Sequence, residues 1–286
     1  LTLRGCYYRM VAQNLIPNTQ KSYKSFGDLI SDARRAGLID WNHLTDSTRY
    51  ERTVPSWDSP ATIVAACADQ YDVDWWDNQL YRPVVWVEKD AMVSVIEVAC
   101  RPWHIPYLSC RGYMSDSEIY AASKRYARHI ENGQQPIVFH LGDHDPSGID
   151  MTRDIERRLS MFSGHDIEVV RLALTMDQIN AANPPLPPNF AKTTDARFRR
   201  YQSEYGDDLW ELDAVPPHQI TQLIEDAINP LIDDRRWNDS GDAKATGRSS
   251  LRLISANYSM VVTRLNDDTI QTPAKPALKK TVKKPP

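Results

Sequence analysis

The chain has 286 residues, 41% of them hydrophobic and 25% charged. That balance excludes a disordered polymer and allows about two domains with cores of their own. No run approaches the ~18 apolar residues of a membrane span, and no basic-then-apolar opening marks an export signal. The first residue is Leu1 and not Met, so the expectation is that further residues precede it. The formal net charge is −4, from 34 basic and 38 acidic residues. Five lysines (Lys275, Lys279, Lys280, Lys283, Lys284) lie in the last 18 residues, where there is no acid, so the body carries 29 basic against 38 acidic residues, a net −9. Such a body does not attract nucleic acid through bulk charge. Any DNA contact has to come from local basic patches or from metal ions that link acidic side chains to phosphate. Cys6, Cys67, Cys100 and Cys110 show no zinc-like spacing and read as reduced thiols of an intracellular, cytoplasmic protein.

The first 58 residues read as a small helical unit. Leu3, Tyr7, Met10, Val11 and Leu15 recur at helical spacing, and Pro17-Asn18 ends the run. A second helix is expected over about Ser22 to Ala36, with Phe26, Leu29, Ile30 and Ala33 on one face and Gly37 as its C-terminal signal. Arg4, Arg9, Lys21, Lys24, Arg34 and Arg35 against Asp28 and Asp32 give this stretch a local +4. Two helices and then a polar stretch with Thr48, Arg49 and Thr53 fit a winged-helix DNA-binding unit. An ordinary helical pair with solvated charges fits equally. Residues 59–82 read as a helical connector that ends in an acidic, Trp-rich segment.

From residue 83 strands and helices alternate. Pro83 to Val87 is an apolar run suited to a buried parallel strand. Asp90 to Ala99 has helical character, Ile105 to Leu108 is a second strand, and Ser115 to Ile130 is a helix opened by Ser-Asp-Ser. Pro136 to Leu141 is a third strand, about Ile149 to Leu159 a helix, and Ile167 to Leu172 a fourth strand. Repeats of this length imply right-handed crossovers and a parallel sheet, hence an α/β domain over 83–175. A C-terminal extension, 176–265, follows. It holds a stiff Pro-rich loop at 183–188, a basic cluster of Lys192, Arg197, Arg199 and Arg200, and a helix expected over 210–237 that opens at Pro216-Pro217. The Pro-, Lys- and Thr-rich tail, 266–286, is expected to be disordered.

Ligands of open parallel sheets bind beyond the carboxyl ends of the strands. The first strand ends in Glu88-Lys89-Asp90, the third in Gly142-Asp143-His144-Asp145-Pro146-Ser147-Gly148. Glu88, Asp143 and Asp145 therefore share one rim, where like charges repel unless a cation joins them. Three hard oxygen ligands with no Cys or His pair favour Mg²⁺, with Mn²⁺ as a substitute, and point to metal-assisted phosphoryl chemistry. A carboxylate can instead offset a helix N-terminus. That is the better reading of Asp90, whereas metal binding is favoured for Asp143 and Asp145 opposite Glu88.

Val87-Glu88-Lys89-Asp90-Ala91, then Arg111-Gly112-Tyr113, then Gly142 to Gly148 resemble the Toprim domain. The Asp-Pro-x-Gly ending narrows the resemblance to the topoisomerase VI A subunit and the meiotic double-strand-break transesterase. Thr2-Leu3-Arg4-Gly5-Cys6-Tyr7-Tyr8 is similar to the family's nucleophile helix, Thr-x-Arg-x-x-(Tyr/Phe)-Tyr. The likeness covers about residues 1–175 in order. It implies a winged-helix (CAP-like) domain before a Rossmann-like Toprim sheet, with Tyr8 as the nucleophile that forms a 5′-phosphotyrosyl link to DNA. Arg4, one helical turn before Tyr8, would stabilise the phenolate or the phosphate. Glu88, Asp143 and Asp145 would hold Mg²⁺ by the scissile phosphate, and Lys89 and His144 would serve phosphate contact or proton transfer. In the family the tyrosine and the Toprim site act from opposite subunits, so the expectation is a nucleoid-associated homodimer on double-stranded DNA. ATP-gated strand passage would need a separate GHKL-type ATPase subunit.

Tyr7 joins the apolar face of its helix, which leaves Tyr8 turned elsewhere beside Arg4. Lys21, Lys24, Arg34 and Arg35 are candidates to grip backbone phosphates, as are Arg111, Arg197, Arg199 and Arg200. The sequence departs from the family's Gly-x-Pro-Asp, since Tyr113-Met114-Ser115-Asp116 follows Gly112. Gly5 also weakens the first helix, by ~1 kcal/mol relative to Ala. Two other functions remain open. One is a Toprim nuclease that uses metal-activated water, with Tyr8 structural. The other is a dimeric DNA-binding subunit without catalysis.

Overall fold

The computed structural model describes residues 3–12, 15–17, 19–44, 54, 56–190 and 197–267. The expected wing residues Thr48, Arg49 and Thr53, together with Lys192 and the tail from 268 on, lie outside the described residues. In chain order the helices and strands are α1 (Leu3–Ala12), α2 (Gln20–Arg35), α3 (Pro60–Gln70), β1 (Tyr81–Val87), α4 (Val93–Cys100), β2 (Tyr107–Ser109), α5 (Asp116–Glu131) and β3 (Gln135–Leu141). Then come α6 (Pro146–Ser163), β4 (Glu168–Ala173), α7 (Met176–Ala181), β5 (Asn189–Phe190), α8 (Phe198–Tyr205), β6 (Asp208–Leu209), α9 (Pro217–Ile228), α10 (Asp234–Ala256) and α11 (Tyr258–Asp267). The contacts divide the chain into two compact units, 1–52 with 74–238 and 53–73 with 239–286. No helix among the described residues is long and apolar enough to cross a membrane.

The first unit is an α/β structure around a four-stranded, all-parallel sheet in the order β2-β1-β3-β4. Side chains alternate across each strand. Val85, Val87, Ile137, Phe139 and Leu141 enter one core with α4 and α9 residues such as Ile96, Ile220 and Ile224. Val84, Trp86 and Val138 enter the other, with Ile119 and Tyr126 of α5 and Met151 and Ile155 of α6. This two-sided burial is why the strands read as unbroken apolar runs.

Pro83 sits in a central strand without breaking it. Residues 83, 85 and 87 turn their backbone toward the β2 side, where Val85 N–H donates to Pro106 C=O at 3.0 Å. Pairing with β2 begins only at Val85, so the missing N–H of Pro83 breaks no ladder bond.

Several boundaries move for local reasons. Helix α6 begins three residues earlier than its apolar pattern, because Asp145 caps it at Gly148 N–H (2.6 Å) and Pro146 takes the first helical position. The helix expected over 210–237 is two. Pro217 opens α9, Pro230 interrupts it in a short 3₁₀ turn, and α10 starts afresh at Asp234. In the N-terminal pair, Tyr7 is buried as its apolar face requires, with its ring edge-on to Tyr23 at 5.0 Å and near Phe26 at 5.9 Å. Its hydroxyl accepts the Thr19 N–H and lies 3.0 Å from the carbonyl oxygens of Pro17 and Thr19.

The second unit is helical. Helix α3 opens with a capping box between Ser59 and Thr62. It runs antiparallel to α10. Ser255 Oγ donates to Ala61 C=O at 2.8 Å, and Arg248 Nε donates to Tyr71 C=O at 2.9 Å. Lys244 pairs with Asp72 at 2.7 Å, and Gly247 lies so close to the Tyr71 ring that a Cβ there would overlap it.

Candidate active site

The strand order reverses between β1 and β3, so the crevice for a ligand lies at their carboxyl ends. Val87 pairs with Leu141, which brings Glu88 and the loop 142–148 side by side. Glu88 Oε2 accepts the Asp143 N–H at 3.0 Å. Burial first, then the charges of Asp143 and Asp145, push the Glu88 carboxyl up from 4.5 to about 7. Burial also raises Asp143, against the pull of the Leu212 N–H and of Lys89. Asp143 Oδ1 accepts the Leu212 N–H at 2.8 Å, and Oδ2 meets Lys89 Nζ at 3.0 Å. Lys89 also reaches Glu211 Oε2 and Asp213 Oδ1, each at 3.1 Å. Burial opposes its charged form, but Asp143 and Asp213 outweigh that and hold the ammonium above its ordinary value.

Two glycines make this closeness possible. A Cβ on Gly142 would stand 2.9 Å from Glu88 Oε2, and one on Gly148 would overlap the Asp143 carbonyl oxygen. The second contact is with backbone and cannot yield by a rotamer change. Gly148→Ala is expected to destabilise the fold by about 1–3 kcal/mol, read by urea unfolding. An unchanged midpoint would show that the loop is looser than described.

A residue that sequence reasoning missed organises the loop. Arg171 of β4 points its guanidinium beneath it. Nη1 donates to Gly148 C=O at 2.8 Å and to Thr152 Oγ1 at 2.9 Å, and Nε donates to Leu174 C=O at 3.0 Å. Nη2 donates to Gly142 C=O at 3.1 Å and to Asp143 C=O. Burial lowers the Arg171 pKa while Glu88, Asp145 and Asp143 favour its charge. A lone arginine in an apolar strand carries no motif, and only its partners reveal it.

His144 is buried behind the rim, at 2% exposure. Its Nδ1 lies 2.7 Å from the Tyr201 hydroxyl, its ring is edge-on to Tyr205 at 4.8 Å, and its backbone forms an antiparallel bridge with Trp210. Burial, then Arg171, lowers it to about 4, so the imidazole is neutral at pH 7. After β2, Arg111 and Gly112 both have positive φ. Arg111 pairs with Asp90 at 3.2 Å on the surface. Tyr113 donates to Asp150 Oδ2 at 2.7 Å and lies beneath Arg197, whose Nη1 contacts its hydroxyl.

The other basic candidates are scattered in role. Arg199 and Arg200 are exposed on α8, and Lys21 and Lys24 on α2. Arg34 is used within the N-terminal pair, donating to Trp41 C=O at 2.7 Å and stacking over the Trp41 ring at 4.4 Å. Arg35 pairs with Asp32 at 3.3 Å. Tyr8 and Arg4 lie on α1, but their side chains fall outside the described residues.

Among the described residues no three His, Cys, Asp or Glu side chains stand ready as a metal cage. The local cause is visible. Both Asp143 oxygens are engaged, and one Asp145 oxygen caps α6. The donor set still suits a hard divalent cation, because it is all carboxylate, and burial with the charges of Asp143 and Asp145 drives Glu88 toward protonation. Comparison with protein-family models, with curated proteins and with solved structures finds no match for this chain.

Proposed function

We propose that the chain cuts double-stranded DNA by tyrosine transesterification, as a homodimer of the topoisomerase VI A type. In this reading the parallel sheet is a Toprim domain and the N-terminal helical pair belongs to a winged helix. The observation that carries it is the meeting of Glu88 with the Asp143–Asp145 loop at the strand-order reversal, with Glu88 raised to about 7 by burial and then by their charges. Five carboxylates, of Glu88, Asp143, Asp145, Glu211 and Asp213, gather there around two cations, Lys89 and Arg171. Glu88, Asp143 and Asp145 would hold Mg²⁺, which when bound offsets negative charge on the phosphate and the leaving 3′ oxygen.

The chain's own groups do the rest. The Tyr8 oxygen attacks phosphorus, the bond from phosphorus to O3′ breaks, and a 5′-phosphotyrosyl link replaces it. The phenol proton leaves to solvent, and the 3′ oxygen gains one as it departs, so charge and atoms balance. A free phenol has a pKa of about 10, and Arg4, one turn away on the same helix, stabilises the phenolate. Tyr7 cannot share this role, because its hydroxyl is bonded inside the helical pair. Exposed Lys21, Lys24, Arg199 and Arg200 would contact backbone phosphates, and an ATPase subunit would supply strand passage.

The test is supercoiled plasmid with Mg²⁺, with and without a candidate ATPase subunit. Protein-linked 5′ ends that vanish in Tyr8→Phe support the proposal. Cutting that survives Tyr8→Phe replaces it with a hydrolytic nuclease. Binding without cutting under both conditions overturns catalysis.

The rim also makes a pH prediction. A carboxyl raised from 4.5 to about 7 is protonated more readily in the folded chain than in the unfolded one. It contributes nothing below 4.5, lowers stability as pH rises from 4.5 to 7, and costs about 3 kcal/mol above that. Glu88→Gln keeps an acceptor for the Asp143 N–H and removes the charge. In chelator, its stability relative to the unsubstituted chain is expected to rise between pH 5 and pH 8. A difference that stays flat with pH would contradict the raised Glu88 carboxyl and the burial and crowding behind it.

A further inference from the structure

Lys89 has two sets of partners. Asp143 belongs to the rim, whereas Glu211 and Asp213 come from the segment that follows β6. That segment is anchored independently of Lys89. Leu212 is fully buried and its N–H binds Asp143, and Asn189 Nδ2 donates to Glu211 Oε1 at 3.1 Å. One ammonium is thus shared by three carboxylates, and the surplus is negative. A cation that takes Asp143 Oδ2 removes one of the three contacts and leaves Lys89 two. The flexible four-carbon stem of lysine allows the small shift.

We propose that Lys89 is a built-in counter-cation with two resting places: on Asp143, Glu211 and Asp213 together when the rim holds no divalent cation, and on Glu211 and Asp213 alone when it does. The inference rests on the metal reading of the rim given above. Glu211 and Asp213 are then positioning residues. They act by drawing Lys89 away from Asp143, and their influence on the ion runs through that lysine. Without them, the displaced ammonium would have no carboxylate except the one the ion needs.

The test is Mn²⁺ titration of the full chain at pH 7.5 and fixed ionic strength, with free ion read by electron paramagnetic resonance. Lys89→Met is expected to bind Mn²⁺ at least about tenfold more tightly. Glu211→Gln with Asp213→Asn is expected to weaken binding at least about tenfold when Lys89 is present, and less than about threefold in the chain that carries Lys89→Met. Lys89→Gln should repeat the result if the methionine variant folds poorly. Equal affinity with and without Lys89, or the same loss from the paired substitution in both backgrounds, overturns the latch and leaves the metal reading standing. If neither chain takes up Mn²⁺ saturably and Asp143→Asn behaves like both, the metal reading fails and the latch with it.

Discussion

Arg171→Met is expected to destabilise the fold by about 3–5 kcal/mol, a large share of the 5–15 kcal/mol typical of a whole domain. The methionine fills similar space but donates nothing. Four carbonyl oxygens, of Gly142, Asp143, Gly148 and Leu174, lose the guanidinium that serves them, as does the Thr152 hydroxyl. Gly142 C=O keeps the Leu174 N–H and Gly148 C=O the Thr152 hydroxyl, so the cost of about 1–3 kcal/mol per acceptor left without a donor falls mainly on Asp143 and Leu174, beside the loss of charge-assisted bonds at the other two. Loss of the positive charge also leaves Glu88, Asp143 and Asp145 facing one another with less compensation. Arg171→Lys should recover less than half, because an ammonium cannot reproduce a planar fork that reaches both sides of the loop. Urea unfolding measures both variants. A loss below about 1 kcal/mol for the methionine variant would show that the loop does not depend on the guanidinium.

Asp143→Asn is expected to abolish plasmid cutting, by at least about a thousandfold, with stability changed by no more than about 1 kcal/mol. Asparagine keeps an oxygen for the Leu212 N–H, so the loop stays in place, but it removes the charge that a cation and Lys89 both need. Asp143→Ala would instead leave that N–H unpartnered and confuse a folding loss with a catalytic one. Tyr8→Phe should lose covalent adduct to the same degree while retaining DNA binding, because the ring stays and only the attacking oxygen goes. Persistence of cutting in Asp143→Asn would remove the rim from the chemistry, whatever Tyr8 does.

The parts of this protein that are periodic were legible before any coordinates. Val84 to Val87 and Ile137 to Leu141 had to be buried strands, because alternating side chains of such runs need a core on both faces. The parallel sheet followed, and so did the placing of Glu88 on one strand-end rim with the Asp143 loop, whereas the strand order came from the structure alone. Tyr7 could be assigned inward from its spacing with Leu3, Met10 and Val11. The helix after the third strand was legible from about Ile149 by its apolar pattern, whereas the capping bond of Asp145 starts it at Pro146, inside a run read as loop.

Contacts between distant segments leave no period, and there only the tertiary structure decided. Lys89 meets Glu211 and Asp213 across 122 and 124 residues. Residues 210–214, expected to be helical, form a bridge and a 3₁₀ turn because Trp210 bridges His144 and Leu212 binds Asp143. Arg171 carried no signal in the sequence, and its five donors find their acceptors only where the loop after β3 folds over it. Local sequence sets which backbone shapes are cheap and which faces are apolar. Which polar groups come to satisfy one another depends on where the chain returns, and at this rim that return fixed the partners of Asp143.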